Sequence, residues 1–163
     1  MILVTVGAQM PFDRLVGAVD AWAARVGRDD VFAQIGPRAR RPRHIEWCEF
    51  LDPPAYRRRC ERADAIVAHA GMGSILTALE LAKPLIIMPR RGELRETRND
   101  HQVATARRFC DKPGVFVAMD VEELEQRLER IDELAAGEAI APVASPELLA
   151  AVRAFIYGDL PHA

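Results

Sequence analysis

The sequence predicts an α/β domain: a parallel sheet of about six strands with helices on both faces. Three observations predict it. Short, continuously apolar runs alternate with segments whose apolar residues recur at helical spacing. Strands apolar along their whole length are buried on both faces, as in a parallel sheet covered by helices. Glycines cluster where one such run passes into a helical pattern, at His69-Ala70-Gly71-Met72-Gly73-Ser74.

The elements follow in order. Ile2–Val6 is an apolar strand, and Phe12, Leu15, Val16, Val19, Trp22, Ala23 and Val26 form one face of an amphipathic helix. Val31–Ile35 and Ile45–Leu51 are the next strands. Asp52-Pro53-Pro54 is a stop, followed by a short helix near Ala55–Arg62. Ala65–Ala68 is the fourth strand, and Ile75, Leu76, Leu79 and Ala82 mark the helix after the glycines. Leu85–Met88 is the fifth strand, bounded by Pro84 and Pro89, with a helix from about Asn99 to Phe109 behind it. Val115–Ala118 is a short sixth strand. Asp120 with Glu123 three residues on forms a capping box for a helix over Val121–Ile131. Ala135–Ser145 is rich in Ala, Gly and Pro and reads as loose chain. Leu148, Val152, Phe155 and Ile156 give a last helix an apolar stripe, for its own sheet or for a partner. The 163 residues form a single domain with no internal repeat.

Composition excludes several classes. A formal net charge of −2 argues against a nucleic-acid binder. Cys48, Cys60 and Cys110 form no C-x-x-C pair and read as reduced thiols of a cytoplasmic protein. No apolar run reaches the roughly 18 residues of a membrane span.

The chemistry is expected beyond the C-terminal ends of the strands. Four segments fall there: Gly7-Ala8-Gln9-Met10, Gln34-Ile35-Gly36, His69–Ser74 and Pro89–Gln102. At the fourth strand's end, free backbone N–H groups and the helix dipole converge, and Ser74 can cap the helix; such a junction holds phosphate or diphosphate. A dinucleotide fingerprint is missing, since the first loop has one glycine and the second strand ends in Gln34. A P-loop is missing too.

These residues together resemble a known family. His69-x-Gly71-x-Gly73-Ser74, Lys83-Pro84, Met88-Pro89-Arg90 and Asn99-Asp100-His101-Gln102 resemble the C-terminal, donor-binding half of family 28 glycosyltransferases. Val4-Thr5-Val6-Gly7 and Phe12-Asp13-Arg14-Leu15 fit its short subgroup, the catalytic subunits of two-part UDP-sugar transferases acting in dolichol-linked glycan or exopolysaccharide synthesis. The resemblance runs to about Phe109. It implies a Rossmann-like GT-B half-domain.

The resemblance also implies roles. Gly7, His69, Gly71, Met72, Gly73 and Ser74 are the candidate diphosphate site. Gln34, Gly36, Phe50, Leu51 and Thr77 are the candidate nucleoside site, with Thr77 standing where relatives carry an acidic residue for ribose. Asn99, Asp100, His101 and Gln102 are the candidate sugar site. Asp29-Asp30 precedes the second strand, on the opposite edge, so no metal and no other cofactor is expected. With no obvious general base in the chain, the base is expected on a membrane-anchored partner that holds a lipid-linked acceptor. That partner would place the chain at the inner membrane face. A non-catalytic nucleotide-sugar-binding regulatory subunit is the alternative, using the same pocket. The arginines at 38, 40, 41 and 43, and those at 57–59, read chiefly as solvated charge. Arg90, Arg91, Arg95 and Arg98 flank the site and read either as solvated charge or as contacts to the diphosphate or an acidic sugar. Trp22 and Trp47 read as core or partner contacts, and His44 and His162 carry no signal.

Overall fold

A computed structural model describes residues 1–141 and 143–157; His162 lies outside them. Six parallel strands form one sheet: β1 (Ile2–Thr5), β2 (Val31–Gln34), β3 (Glu46–Cys48), β4 (Ala65–His69), β5 (Leu85–Met88) and β6 (Val115–Val117). Their spatial order is β3-β2-β1-β4-β5-β6, and every pairing is parallel. The order reverses between β1 and β4, which opens a crevice at their C-terminal ends. Gly7 and His69 sit at that crevice, with His69 on the last rung of β4 opposite Met88.

The helices are α1 (Asp13–Val26), α2 (Pro53–Arg62), α3 (Met72–Glu80), α4 (His101–Phe109), α5 (Val121–Leu128) and α6 (Pro146–Tyr157). One core cluster joins Ile2, Val4, Val67 and Ile86 to Leu15, Val19 and Trp22 of α1 and Leu124 of α5. The other joins Leu3, Ile66 and Ile87 to Cys60 of α2, Ile75 and Leu79 of α3 and Ala106 of α4. Alternate residues of the strands face opposite clusters, which is why the four central strands are almost wholly apolar, while the edge strand β3 carries the exposed Glu46.

Local chemistry sets the helix starts. Asp52 accepts the Ala55 N–H at 2.7 Å, and Pro53 and Pro54 occupy first-turn positions that need no N–H partner. Asp120 accepts the Glu123 N–H at 2.9 Å, while the Glu123 carboxylate accepts the Met119 N–H at 2.7 Å. The capping box therefore closes one residue early. This helix stops at Leu128, short of the expected Ile131, and a single 3-10 turn follows at Ile131–Glu133.

Three expectations change. The helix expected from Asn99 starts at His101. Part of the segment expected to be loose is pinned, since the Ile140 N–H donates to Leu79 O at 3.2 Å and its side chain packs on the second cluster. The stripe of α6 does not cover the sheet: no residue of α6 is buried, and Phe155 is 74% exposed.

At the opposite edge, the Arg28 guanidinium beside Asp30 holds its carboxyl down from 3.8 to about 2, helped by the Met1 ammonium. The folded-state pKa lies below the unfolded one, so this contribution to stability is present above about pH 4 and lost as pH falls toward 2. The expected result is a Tm gap between wild type and Asp30→Asn at pH 7 that closes near pH 2. A gap unchanged at pH 2 would refute the charge-based account.

Candidate functional site

Two cavities open at the crevice and share a wall. The first, about 370 Å³, is lined by Thr5, Gln34, Phe50, Leu51, Pro53, Tyr56 and Ser74 with Gly7, Ala8, His69 and Gly73. The second, about 390 Å³, is lined by Gln9, Met72, Arg90, Thr97, His101 and Gln102 and includes the same Gly7, Ala8, His69 and Gly73. The shared wall is the start of α3. There the first helical bond runs from the Ile75 N–H to Gly71 O at 3.1 Å, leaving the N–H groups of Met72, Gly73 and Ser74 without helical acceptors. Gly71, not Ser74, is the N-cap. Ser74 stands at the third helical position, buried, with its hydroxyl toward the first cavity.

The His69 ring is wedged between two glycines. A Cβ on Gly71 would lie 2.2 Å from His69 Nε2, and one on Gly7 would lie 3.0 Å from His69 Cε1. Gly7 also has a φ of 79°, a left-handed backbone that glycine adopts without strain. The His69 Nδ1 is buried with no hydrogen-bond partner among the described residues. Burial, and after it the Arg90 charge, pushes the His69 pKa down to about 4. The imidazole is neutral at pH 7, with one N–H to offer.

Gln34 lines the first cavity, but its amide is committed. The Thr5 hydroxyl donates to Gln34 Oε1 at 2.9 Å, and Gln34 Nε2 donates to Gly7 O and Glu49 O at 3.0 and 3.1 Å. It braces the end of β1 and the segments that follow β1 and β3 around the pocket. Phe50, 60% exposed, and Leu51 form an apolar wall. Gln102, buried, accepts the Arg90 backbone N–H through Oε1 at 3.2 Å, so its NH₂ is the end left for a ligand. His101 Nδ1 is paired with the Asn99 side-chain oxygen, which leaves Nε2 as the ring's acceptor.

Four expected site residues line neither cavity. Gly36 lies beneath the β1–α1 loop, where a Cβ would be 3.0 Å from Met10 O. The Thr77 hydroxyl turns back along its own helix to Gly73 O at 2.9 Å, so it does not face the nucleoside side. Asp100 accepts the Gly92 N–H at 2.8 Å, and Asn99 is spent on His101. These two shape the loop.

Arg90 lines the second cavity. Its guanidinium is buried and donates to the carbonyls of Val6, Met10, Pro11 and Glu96, over the Phe12 ring at 4.7 Å. Arg91 donates to Met119 O at 2.7 Å. Bidentate pairing of Arg14 with Glu96, at 2.7 and 2.8 Å, ties the β5–α4 loop to α1.

Sequence reasoning missed Tyr56 and Thr97. Tyr56 sits one turn into α2, so the Asp52 cap that starts the helix was the available signal. Its hydroxyl is buried without a partner at hydrogen-bond geometry, and burial pushes its pKa above the usual phenol range. Thr97 lies in an irregular loop and carries no local signal.

Among the described residues, no group of three or more His, Cys, Asp or Glu is placed to hold a metal ion, and no Asp or Glu lines either cavity. No described helix is long and apolar enough to cross a membrane.

The chain resembles several known proteins. It is 37% identical over 70 residues to the UDP-N-acetylglucosamine transferase subunit ALG13 of Cryptococcus neoformans var. neoformans serotype D; that stretch is 42% of this chain and 32% of the relative. The matched region thus spans about a third of the curated relative's length. The NMR structure of ALG13 superposes with a TM-score of 0.59 at 19% identity, covering 93% of both chains. The glycotransferase of kitacinnamycin superposes with a TM-score of 0.58 at 21% identity, covering 93% of this chain and 38% of that one. These likenesses show a shared Rossmann-like fold, present here as one half of the GT-B architecture. Residues 1–139 match the profile of the glycosyltransferase family 28 C-terminal domain. With the fold, the two-lobed crevice and that match over most of its length, the chain belongs to glycosyltransferase family 28.

Proposed function

We propose that this chain binds a UDP-sugar and is the donor-binding catalytic subunit of a two-component transferase. It would pass an N-acetylglucosamine- or glucuronate-type hexose to a lipid-linked acceptor in glycan or polysaccharide synthesis. One observation carries the reading: two cavities of nucleoside and sugar size meet at the bare N-terminus of α3. In it, uridine lies against Phe50 and Leu51, the diphosphate lies on the N–H groups of Met72, Gly73 and Ser74 beside neutral His69, and the sugar meets His101 and Gln102. Negative charge grows on the leaving UDP as the glycosidic bond breaks. Fixed N–H groups and the helix dipole stabilise that charge without reorganising.

No metal enters this scheme. The acceptor's base belongs to a membrane-anchored partner, which is supported by the absence of any carboxylate from both described cavity walls. The word subunit in the name of the ALG13 relatives supports a partner. The uncovered stripe of Leu148, Val152, Phe155 and Ile156 offers it an apolar face. Docked there, the chain would work at the cytoplasmic face of the membrane.

Calorimetric titration with UDP in EDTA tests the reading: binding is expected to survive chelation. His69→Ala is expected to weaken UDP about tenfold or more, and Gln102→Ala to weaken UDP-sugar while sparing UDP. Binding lost on chelation would refute the metal-free scheme. Equal losses of UDP and UDP-sugar in both variants would refute the division of roles.

A further inference from the structure

We propose that Arg90 is the fixed countercharge of the anionic group held at the start of α3, acting through its field and not through a hydrogen bond to the ligand. The proposal rests on the diphosphate reading above. Arg90 is 3% exposed, yet it lines the second cavity. The recorded hydrogen bonds of its guanidinium all end on backbone carbonyls: Val6 at 2.9 Å, Met10 at 2.8 Å, Pro11 at 2.5 Å and Glu96 at 3.4 Å. The nearby Glu96 carboxylate is taken by Arg14 and by the Arg91 N–H. Among the described residues, Arg90 therefore makes no ion pair with a carboxylate.

Carbonyl dipoles take four of the five guanidinium N–H groups, and the Glu96 carboxylate, already paired with Arg14, offsets its charge only in part. An incompletely offset cation is costly to bury, and a core arginine ordinarily keeps a carboxylate of its own. Here the compensating charge fits the ligand. Burial lowers the Arg90 pKa only to about 10, so the charge persists at pH 7. Its field already reaches the shared wall, because it is the second cause of the depressed His69 pKa. Three of the four carbonyl acceptors belong to the β1–α1 segment and the fourth to the β5–α4 loop, so the same group also fixes both loops. A field effect scales with ligand charge, whereas loop positioning does not.

That difference gives the test. Uridine and UDP are titrated calorimetrically into wild type, Arg90→Gln and Arg90→Lys, with folding checked by circular dichroism. In Arg90→Gln the preference for UDP over uridine is expected to fall about tenfold or more, with uridine affinity held within about threefold. In Arg90→Lys, which keeps the charge, the preference stays within about threefold of wild type. The His69 pKa, followed by NMR, should rise in Arg90→Gln and not in Arg90→Lys. Equal losses of uridine and UDP in Arg90→Gln would reduce Arg90 to a loop brace and overturn the proposal. Should Arg90→Gln fail to fold, Arg90→Lys decides: a retained preference supports the field and a collapsed one overturns it. A wild type that binds UDP no better than uridine would defeat the diphosphate reading itself. A wild-type preference left intact in Arg90→Gln would defeat only the role of Arg90.

Discussion

Gly71→Ala is expected to cost at least about tenfold in UDP affinity while leaving the fold intact. Gly71 has φ −96° and ψ 135°, backbone angles that alanine adopts freely, so conformational strain is not the cause. The cause is a collision. The new Cβ would stand 2.2, 2.7 and 2.9 Å from three atoms of the His69 ring. The ring has little room to shift, because Gly7 crowds the same end of it: a Cβ there would lie 3.0 Å from His69 Cε1 and 3.1 Å from Nε2. Either the imidazole leaves the cavity wall or the first turn of α3 shifts, and each outcome spoils the donors aimed at the diphosphate. A double-mutant cycle separates the two. In a His69→Ala background, Gly71→Ala should cost little further affinity, since the collision has gone. A full additional loss in that background would locate the damage in the helix start and refute the ring-based account. Gly73→Ala is a useful companion, because its Cβ meets no protein atom within 4 Å. Loss of UDP binding there would report directly on occupancy of the crevice.

The second large effect is on turnover: the isolated chain is expected to transfer no sugar to a lipid-linked acceptor at any UDP-sugar concentration. The described walls of both cavities come from one sheet edge and contain no carboxylate. His69, neutral with a pKa of about 4, is too weak a base to help an acceptor hydroxyl. Donor binding should nevertheless be complete in the isolated chain, so binding and turnover part company. Co-purification with a membrane-anchored second subunit should restore transfer, followed by radiolabelled sugar reaching the lipid phase. Vigorous transfer by the isolated chain would sink the two-component reading.

The sheet was legible because its central strands are short apolar runs bounded by turn residues, and that length, not the run itself, separates them from buried helix. Strand ends were less so: Ile45–Leu51 contracts to Glu46–Cys48, since the residues beyond Cys48 leave the ladder for the rim of the first cavity. The α3 start was legible from His69 and its glycines, whose placement depends only on neighbours in sequence. Thr77 misled because a hydroxyl in a helix can return to the carbonyl four residues earlier, a bond that leaves no trace in the residue pattern. Arg90 was illegible for a related reason. Its acceptors include carbonyls of Val6, Met10 and Pro11, 79 to 84 positions away, and a carbonyl carries no residue identity. An arginine beside Pro89 in a charged loop reads as solvated charge or as a ligand contact until the fold brings those oxygens to it.

The wedged imidazole has a consequence for how such a chain can diverge. Positions 7, 69 and 71 share one small volume, so the side chain allowed at each depends on the other two. Natural variants that keep histidine at 69 should tolerate nothing larger than glycine at 71. Lineages that lose the histidine are released from that restriction and should drift there. A larger side chain at 71 collides with the imidazole while His69 is present, whereas the same change after the histidine is lost adds little further cost. Covariation of these three positions across descendants of this sequence would carry the imprint of that shared volume.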